Sequence, residues 1–208
     1  MLLFDGPLTF QEYMTRESIP LARVFGEVLR WLAKRRDAVL FGAQAVNAYC
    51  EPPRMTEDVD LLSTNAAQLA EELCAHLARK LHIAARVREV VPGGFRVFQV
   101  RKPKNRHLVD VRQVSALPAH RRIRDVQVAT PAVLAAMKVQ SIAARRNQPK
   151  GDTDRADLRR LLLRHSKLKV EHGEIYALLE SSAADERTFA VWRETVRAPI
   201  EPDQDDRY

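Results

Sequence analysis

The stretch Val39-Leu40-Phe41-Gly42-Ala43-Gln44-Ala45-Val46-Asn47-Ala48-Tyr49, followed closely by Pro53-Arg54-Met55-Thr56-Glu57-Asp58-Val59-Asp60-Leu61-Leu62, decides how this chain is read. Val39-Leu40-Phe41 is a short apolar run stopped by a glycine, the pattern of a buried strand. The small, mostly apolar residues Ala43–Tyr49 suit a short helix packed closely on a sheet. Pro52-Pro53 then forces a loop. Asp58–Leu62 alternates polar and apolar, which marks a half-buried strand. On that strand Asp58 and Asp60 point to one face, and Val59 and Leu61 to the opposite, buried one.

Two carboxylates held this close repel and raise each other's pKa unless a cation neutralises them. A divalent metal with oxygen ligands does so, and Mg²⁺ characteristically takes one or two carboxylates together with substrate phosphates. An isolated Asp-x-Asp is equally the solvated face of an edge strand. Asp110, in His107-Leu108-Val109-Asp110-Val111, adds a third carboxylate with apolar neighbours on a strand. Three strand-borne carboxylates can chelate two Mg²⁺ ions, one activating an attacking hydroxyl and one holding a triphosphate and its leaving pyrophosphate. Gly42, between an apolar strand and a helix, has the geometry in which backbone N–H groups and the helix dipole bind phosphate. A glycine there also serves simply to let the helix pack tightly on the sheet.

Upstream, Thr9-Phe10-Gln11-Glu12 has the form of a capping box, and Leu21, Val24, Phe25, Val28, Leu29 and Leu32 predict an amphipathic helix ending near Lys34-Arg35-Arg36. Downstream, Asn65 is placed to cap a helix with the stripe Leu69, Leu73, Leu77 and Leu81. Three strand-like runs follow, Ile83–Val91, Phe95–Arg101 and Leu108–Val111, with Pro92-Gly93-Gly94 turning between the first two. Val126–Val128 is a further short strand. From Thr130-Pro131 the pattern is helical, with Pro131 at a first helical position and Val133, Leu134, Met137 and Ile142 on the apolar side. A second helix is expected over Asp154–Arg164 and more helix to about Val196. The Asp-rich tail after Pro199 reads as disordered.

The expected fold is therefore α/β (α+β): a small mixed sheet with flanking helices over residues 1–128, a helical region over 129–198, and a tail over 199–208. The chain has 208 residues and a formal net charge of +7. Residues 1–60 carry 7 basic and 9 acidic side chains, whereas residues 61–130 carry 13 and 5. A basic middle beside acidic ends suits a polyanion, with nucleic acid or nucleotide phosphate the usual candidates. Solubilising surface arginines produce the same excess. The longest run without a charged residue, Ala38–Cys50, has 13 residues and is too short to span a bilayer. Met1–Asp5 lacks the basic start of a secretory signal, and two cysteines make no disulfide framework, so a cytoplasmic protein is expected.

Taken together, the quoted stretch resembles the nucleotidyltransferase superfamily of DNA polymerase beta-like fold, and more narrowly the AbiEii/MenT-type toxin-like nucleotidyltransferases. That group shows a strand, a glycine pair and short helix, then R-x-T/S-x-D-[ILV]-D-L. Ala129–Lys138 is similar to the group's segment ending in a helical lysine, and Asp154-Arg155-Ala156-Asp157-Leu158-Arg159-Arg160-Leu161 to its D-x-x-D-L-x-x-L helix. The resemblance implies metal binding and catalysis by Asp58, Asp60 and Asp110, and nucleotide binding by Gly42, Ala43, Arg54, Thr56 and Lys138. Arg54 and Thr56 would also shape the loop before the catalytic strand. Asp154 and Asp157, on one helix face, either orient Lys138 or an arginine or act on substrate. Ala43 departs from the group, which often carries Gly, Ser or Thr there, so a phosphate-binding hydroxyl is missing.

The implied activity is transfer of a nucleoside monophosphate from an NTP, with Mg²⁺ or Mn²⁺, to an acceptor hydroxyl on RNA such as tRNA or on protein. Asp110 is the expected group for taking or guiding the acceptor proton. The resemblance also implies a toxin with a cognate antitoxin, while the short uncharged runs predict no membrane partner. Two other readings stand beside it. One is a non-catalytic module of the same fold binding nucleic acid or a partner protein, and the other is a transferase acting on an antibiotic or another small molecule. His107 and His120 receive no catalytic role.

Overall fold

The computed structural model describes residues 19–202. The Thr9–Glu12 capping box and residues 203–208 of the tail lie outside the described residues. In chain order the elements are α1 (Leu21–Leu32), β1 (Ala38–Phe41), α2 (Gly42–Asn47), β2 (Val59–Ser63), α3 (Ala66–Leu81), β3 (Ala85–Val91), β4 (Gly94–Gln99) and β5 (Arg106–Gln113). There follow β6 (His120–Ile123), β7 (Val126–Ala129), α4 (Pro131–Ala144), α5 (Pro149–Arg164), a 3-10 turn (Ser166–Leu168), α6 (Glu174–Ser181) and α7 (Glu186–Arg197). These fall into two compact units. The first comprises residues up to Gln44 with Arg54–Val128, and the second Ala45–Pro53 with the chain from Ala129.

The first unit is a seven-stranded mixed sheet in the order β3-β4-β5-β2-β1-β7-β6. β1 runs antiparallel to β2 and parallel to β7, β2 runs parallel to β5, and β3, β4 and β5 form an antiparallel meander. Val59, Leu61, Val97, Val109 and Val111 are fully buried. α3 packs across β3, β4, β5 and β2, with Leu69, Leu73 and Leu77 buried, and α1 packs on α3. The opposite face of β2–β5 is the one that carries Asp60 and Asp110.

Turn chemistry closes the meander. Pro92 precedes Gly93 at φ +71°, a backbone state that favours glycine, as a type II turn requires at its third position. Arg124 and Asp125, both at positive φ, form the two-residue turn between β6 and β7. β6 was not foreseen because His120-Arg121-Arg122-Ile123 has no apolar alternation. The start of α3 is also capped differently from the expectation. Asn65 makes no side-chain cap, its amide donating instead to Gln68 Oε1 at 2.5 Å. The Ala66 N–H is received by Gln113 Oε1 at 2.8 Å, from the end of β5.

The second unit is helical. Thr130 Oγ1 accepts from the Val133 N–H at 3.4 Å, and Pro131 stands at the first turn of α4, where its missing N–H costs nothing. α4 is buried almost all round rather than along one stripe, and Met137 is only half-buried. The reason is that α5, α6 and α7 all pack on it. Ala135, Val139, Ile142, Leu158, Leu162, Ile175, Leu179 and Trp192 make the core, and Ile200 packs against it. α5 begins at Pro149, five residues before the expected Asp154, because Pro149 opens the helix as Pro131 does. The Ala45–Pro53 segment is held by the Tyr49 hydroxyl, which donates to the Ala129 carbonyl at 2.9 Å, and by Arg160, which reaches the Cys50 and Pro52 carbonyls. No helix among the described residues is long and apolar enough to cross a membrane.

Candidate active site

The sheet register builds the site. Asp60 on β2 pairs with Asp110 on the parallel strand β5, and Asp110 pairs across the antiparallel side with Arg96 on β4. Arg96 in turn pairs with Arg88 on β3. Residues directly opposite on neighbouring strands share a face, so one row across four strands reads Asp60, Asp110, Arg96, Arg88. The Arg96 guanidinium grips Asp110 in a fork, Nε to Oδ1 at 2.9 Å and Nη2 to Oδ2 at 3.0 Å.

Asp58 stands one residue before β2. The Thr56 hydroxyl donates to the Asp58 carbonyl at 2.8 Å and receives the Asp58 N–H at 3.4 Å, so Thr56 shapes this entry to the strand. Arg54 donates to the Met55 carbonyl at 3.0 Å. Gly42 adopts φ +69°, and a Cβ there would lie 2.0 Å from Asp60 Oδ2. The glycine thus makes room for the Asp60 carboxylate as well as permitting the turn from β1 into α2. Ala43 is buried at the start of that helix.

His107 joins the site by way of a bulge. Val97 pairs with Val109 but Phe98 pairs with His107, so Leu108 is an extra residue in β5. Strict alternation would place His107 and Asp110 on opposite faces. The extra residue brings them to the same one, and Leu108 and Val109 are both fully buried. His107 Nε2 lies 3.0 Å from Asp110 Oδ1, and its Nδ1 lies 3.6 Å from Asp58 Oδ2. One donor atom each from Asp58, His107 and Asp110 falls within 4.8 Å of the others. Two carboxylates and an imidazole are a donor set that a divalent cation accepts, so these residues fit a metal. Asp60, directed toward Gly42, is not a member of that cluster.

Burial by itself would raise the pKa of Asp110. Hydrogen bonds from His107 and Arg96 and their positive fields outweigh it and hold the carboxyl well below the usual carboxylate range. The bond to Asp110 correspondingly raises the pKa of Arg96 against a smaller opposing effect of burial, and the charges of Asp110, Asp58 and Asp60 add to the rise. His107 and Arg96 are the residues that sequence reasoning missed. Arg96 was one of 13 basic residues in its segment, with nothing in sequence to link it to Asp110. The separation of His107 from Asp110 hid the histidine, because three residues along a regular strand point opposite ways.

Lys138, Asp154 and Asp157 come together in the helical unit. Lys138 Nζ donates to Asp154 Oδ1 at 2.7 Å and to Asp157 Oδ2 at 2.6 Å. Arg145 takes the second oxygen of Asp154 at 3.1 Å, and Arg160 lies 3.8 Å from Asp157 Oδ1. All three members of the core of this cluster are buried.

No family model and no curated protein matches the sequence. Solved structures do match in fold. The polyadenylate synthase of Megavirus aligns with a TM-score of 0.58 at 12% identity over 70% of this chain, and this chain spans only 31% of that one. JHP933 from Helicobacter pylori aligns with a TM-score of 0.53 at 12% identity, covering 92% of both chains. The antibiotic-resistance factor ANT(2'')-Ia aligns with a TM-score of 0.52 at 15% identity, over 77% of this chain and 91% of its own. The mixed sheet with its seven helices among the described residues is a nucleotidyltransferase-like fold.

Proposed function

We propose that this protein is a metal-dependent nucleotidyltransferase that moves a nucleoside monophosphate from an NTP to an acceptor hydroxyl. The observation that carries the reading is the convergence of half-buried Asp58, Asp110 and His107, beside Asp60, on one face of a sheet of this fold. In the reaction the acceptor oxygen bonds to the α-phosphorus while the bond from that phosphorus to the bridging oxygen breaks. Pyrophosphate leaves and the hydroxyl proton passes to solvent. A divalent cation, Mg²⁺ or Mn²⁺, bound at this cluster would supply Lewis acidity toward the phosphate oxygens.

The chain's own residues then have separate tasks. Asp58 and Asp60 hold negative charge where the cation and triphosphate meet, and Gly42 keeps the space Asp60 needs. Asp110, kept ionised, orients an acceptor hydroxyl as a hydrogen-bond acceptor and is too weak a base to store its proton. Arg96, Arg88 and the exposed Arg86 extend positive charge from the carboxylates to the edge strand β3. That row favours a polyanionic acceptor such as RNA over a small molecule, because a compact acceptor needs no cations so far from the carboxylates. Arg54 and Thr56, at the entry to β2, belong to the nucleotide side of the site. Lys138 would have to leave two carboxylates to reach phosphate, so the reading rests on the sheet unit. The resemblance to toxin-type enzymes extends it to a toxin restrained by a cognate antitoxin.

Purified protein incubated with each labelled NTP and Mg²⁺ or Mn²⁺ is expected to label an RNA or protein acceptor, with Asp60→Asn lowering the rate at least about 10²-fold. Failure to bind any NTP and to label any acceptor would remove the reading. RNA binding that ignores both divalent cations and the Asp60 substitution would favour the non-catalytic module instead. For the toxin role, induced wild type should arrest growth and Asp60→Asn should not.

A further inference from the structure

We propose that His107 Nδ1 is a direct ligand of the cation in this site and makes it favour transition metals such as Mn²⁺ and Co²⁺ over Mg²⁺. The inference rests on the cation-dependent reading above and concerns which atoms of this chain form the site. His107 Nε2 lies 3.0 Å from Asp110 Oδ1, hydrogen-bond distance from a carboxylate oxygen, the geometry of the tautomer whose Nε2–H is given to Asp110. Nδ1 faces Asp58 Oδ2 at 3.6 Å, beyond a nitrogen–oxygen hydrogen bond. Among the described residues Nδ1 makes no hydrogen bond.

Two donors each about 2.1 Å from one metal stand roughly 3–3.5 Å apart, close to that spacing. The arrangement also matches how ligating histidines are commonly supported, with the far ring N–H given to a carboxylate that orients the ring and strengthens the lone pair. Asp110 is placed to be that carboxylate. Its Oδ1 already receives both Arg96 and His107 and its Oδ2 receives Arg96, whereas Asp58 Oδ2 and Nδ1 face each other with no hydrogen bond between them and form the pair with most room for a cation. The bulge at Leu108 is what makes this possible, since it alone brings the ring to the carboxylate face. Imidazole nitrogen adds little for Mg²⁺, which prefers oxygen ligands, and more for later divalent ions in the Irving–Williams order.

The test uses the full chain and the metal alone. Pulsed EPR of the Mn²⁺-loaded protein should show coupling to a directly bound imidazole nitrogen, lost in His107→Gln. Calorimetric titrations should show His107→Gln weakening Co²⁺ about tenfold or more and Mg²⁺ less than about threefold. Should His107→Gln fail to fold, wild type grown with ¹⁵N-histidine supplies the same answer, because a bound ring nitrogen changes its coupling pattern on labelling. Absence of nitrogen coupling in wild type, coupling that survives His107→Gln, or an unchanged Co²⁺-to-Mg²⁺ affinity ratio would each overturn the assignment. Nucleotide transfer with no nitrogen coupling sinks this inference and leaves the transferase reading standing. Nitrogen coupling without NTP binding or transfer does the reverse.

Discussion

The sheet unit and the helical unit each gather carboxylates and cations, under opposite conditions. Asp154 and Asp157 have side chains 8% and 0% exposed, and both share Lys138. Arg145 binds Asp154, and Arg160 stands near Asp157. Asp58 and Asp110 are 26% and 17% exposed, and among the described residues the Asp58 carboxylate has an imidazole nitrogen at 3.6 Å as its one ion-pair partner. Removing ions from water costs several kcal/mol each and is tolerated only when partners replace the lost hydration. The helical cluster meets that condition internally, so it ties α4 to α5. The sheet cluster remains more accessible, and while Arg96 and His107 serve Asp110, the Asp58 carboxylate is left facing a ring nitrogen across a gap that a cation can occupy.

The comparison breaks most visibly at Lys138. Lys138→Met should leave Asp154 and Asp157 without their shared cation and lower unfolding stability by about 3–5 kcal/mol, read from urea denaturation. Unchanged stability with lost NTP binding would instead give Lys138 the nucleotide role that the sequence resemblance implied. On the sheet side, Gly42→Ala combines positive φ with a Cβ driven into Asp60, so it should cost roughly 1–2 kcal/mol in backbone strain and displace that carboxylate. A fall in both melting temperature and transfer rate checks this, and full transfer activity would show that the Asp60 position is not needed.

A third cluster, intermediate in burial, sharpens the contrast. Glu27 on α1 accepts from Arg30 at 3.1 and 2.6 Å, and meets His76 Nε2 on α3 at 2.7 Å. Burial would raise its pKa, but the bonds to Arg30 and His76 prevail and lower it. A carboxyl whose folded pKa is depressed contributes stability above its unfolded pKa, about 4.3, and loses that contribution as pH falls through the lower folded value. Glu27→Gln should therefore cost of order 1 kcal/mol at pH 7, and the gap from wild type should close below about pH 4. Denaturation curves at pH 7, 5 and 3 test the sign.

Much of the site's scaffold was legible because short-range rules govern it. Val39-Leu40-Phe41-Gly42 formed a buried strand turning into a helix, and Asp60 alternated against the buried Val59 and Leu61 as strand periodicity dictates, although Leu62 and Ser63 are buried too and Asp58 precedes the strand. Pro92-Gly93 made its turn and Pro131 opened its helix. What escaped depended on contacts distant in sequence. Gln113 caps α3 from 47 residues away, and Arg96 reaches Asp110 only through strand pairing. The Leu108 bulge reverses the face of His107, and no local pattern announces it.

The sequence by itself determined which residues can bear charge, where strands and helices form, and which face of a regular strand each carboxylate takes. These follow from backbone sterics and from the periodicity of apolar side chains, which act over a few residues. Tertiary structure alone decided the partners. Sheet register set Arg96 against Asp110, one extra residue in β5 brought His107 between Asp58 and Asp110, and helix packing closed Lys138 between two buried aspartates. Electrostatic interaction depends on distance in space and on burial, and neither is carried by spacing along the chain.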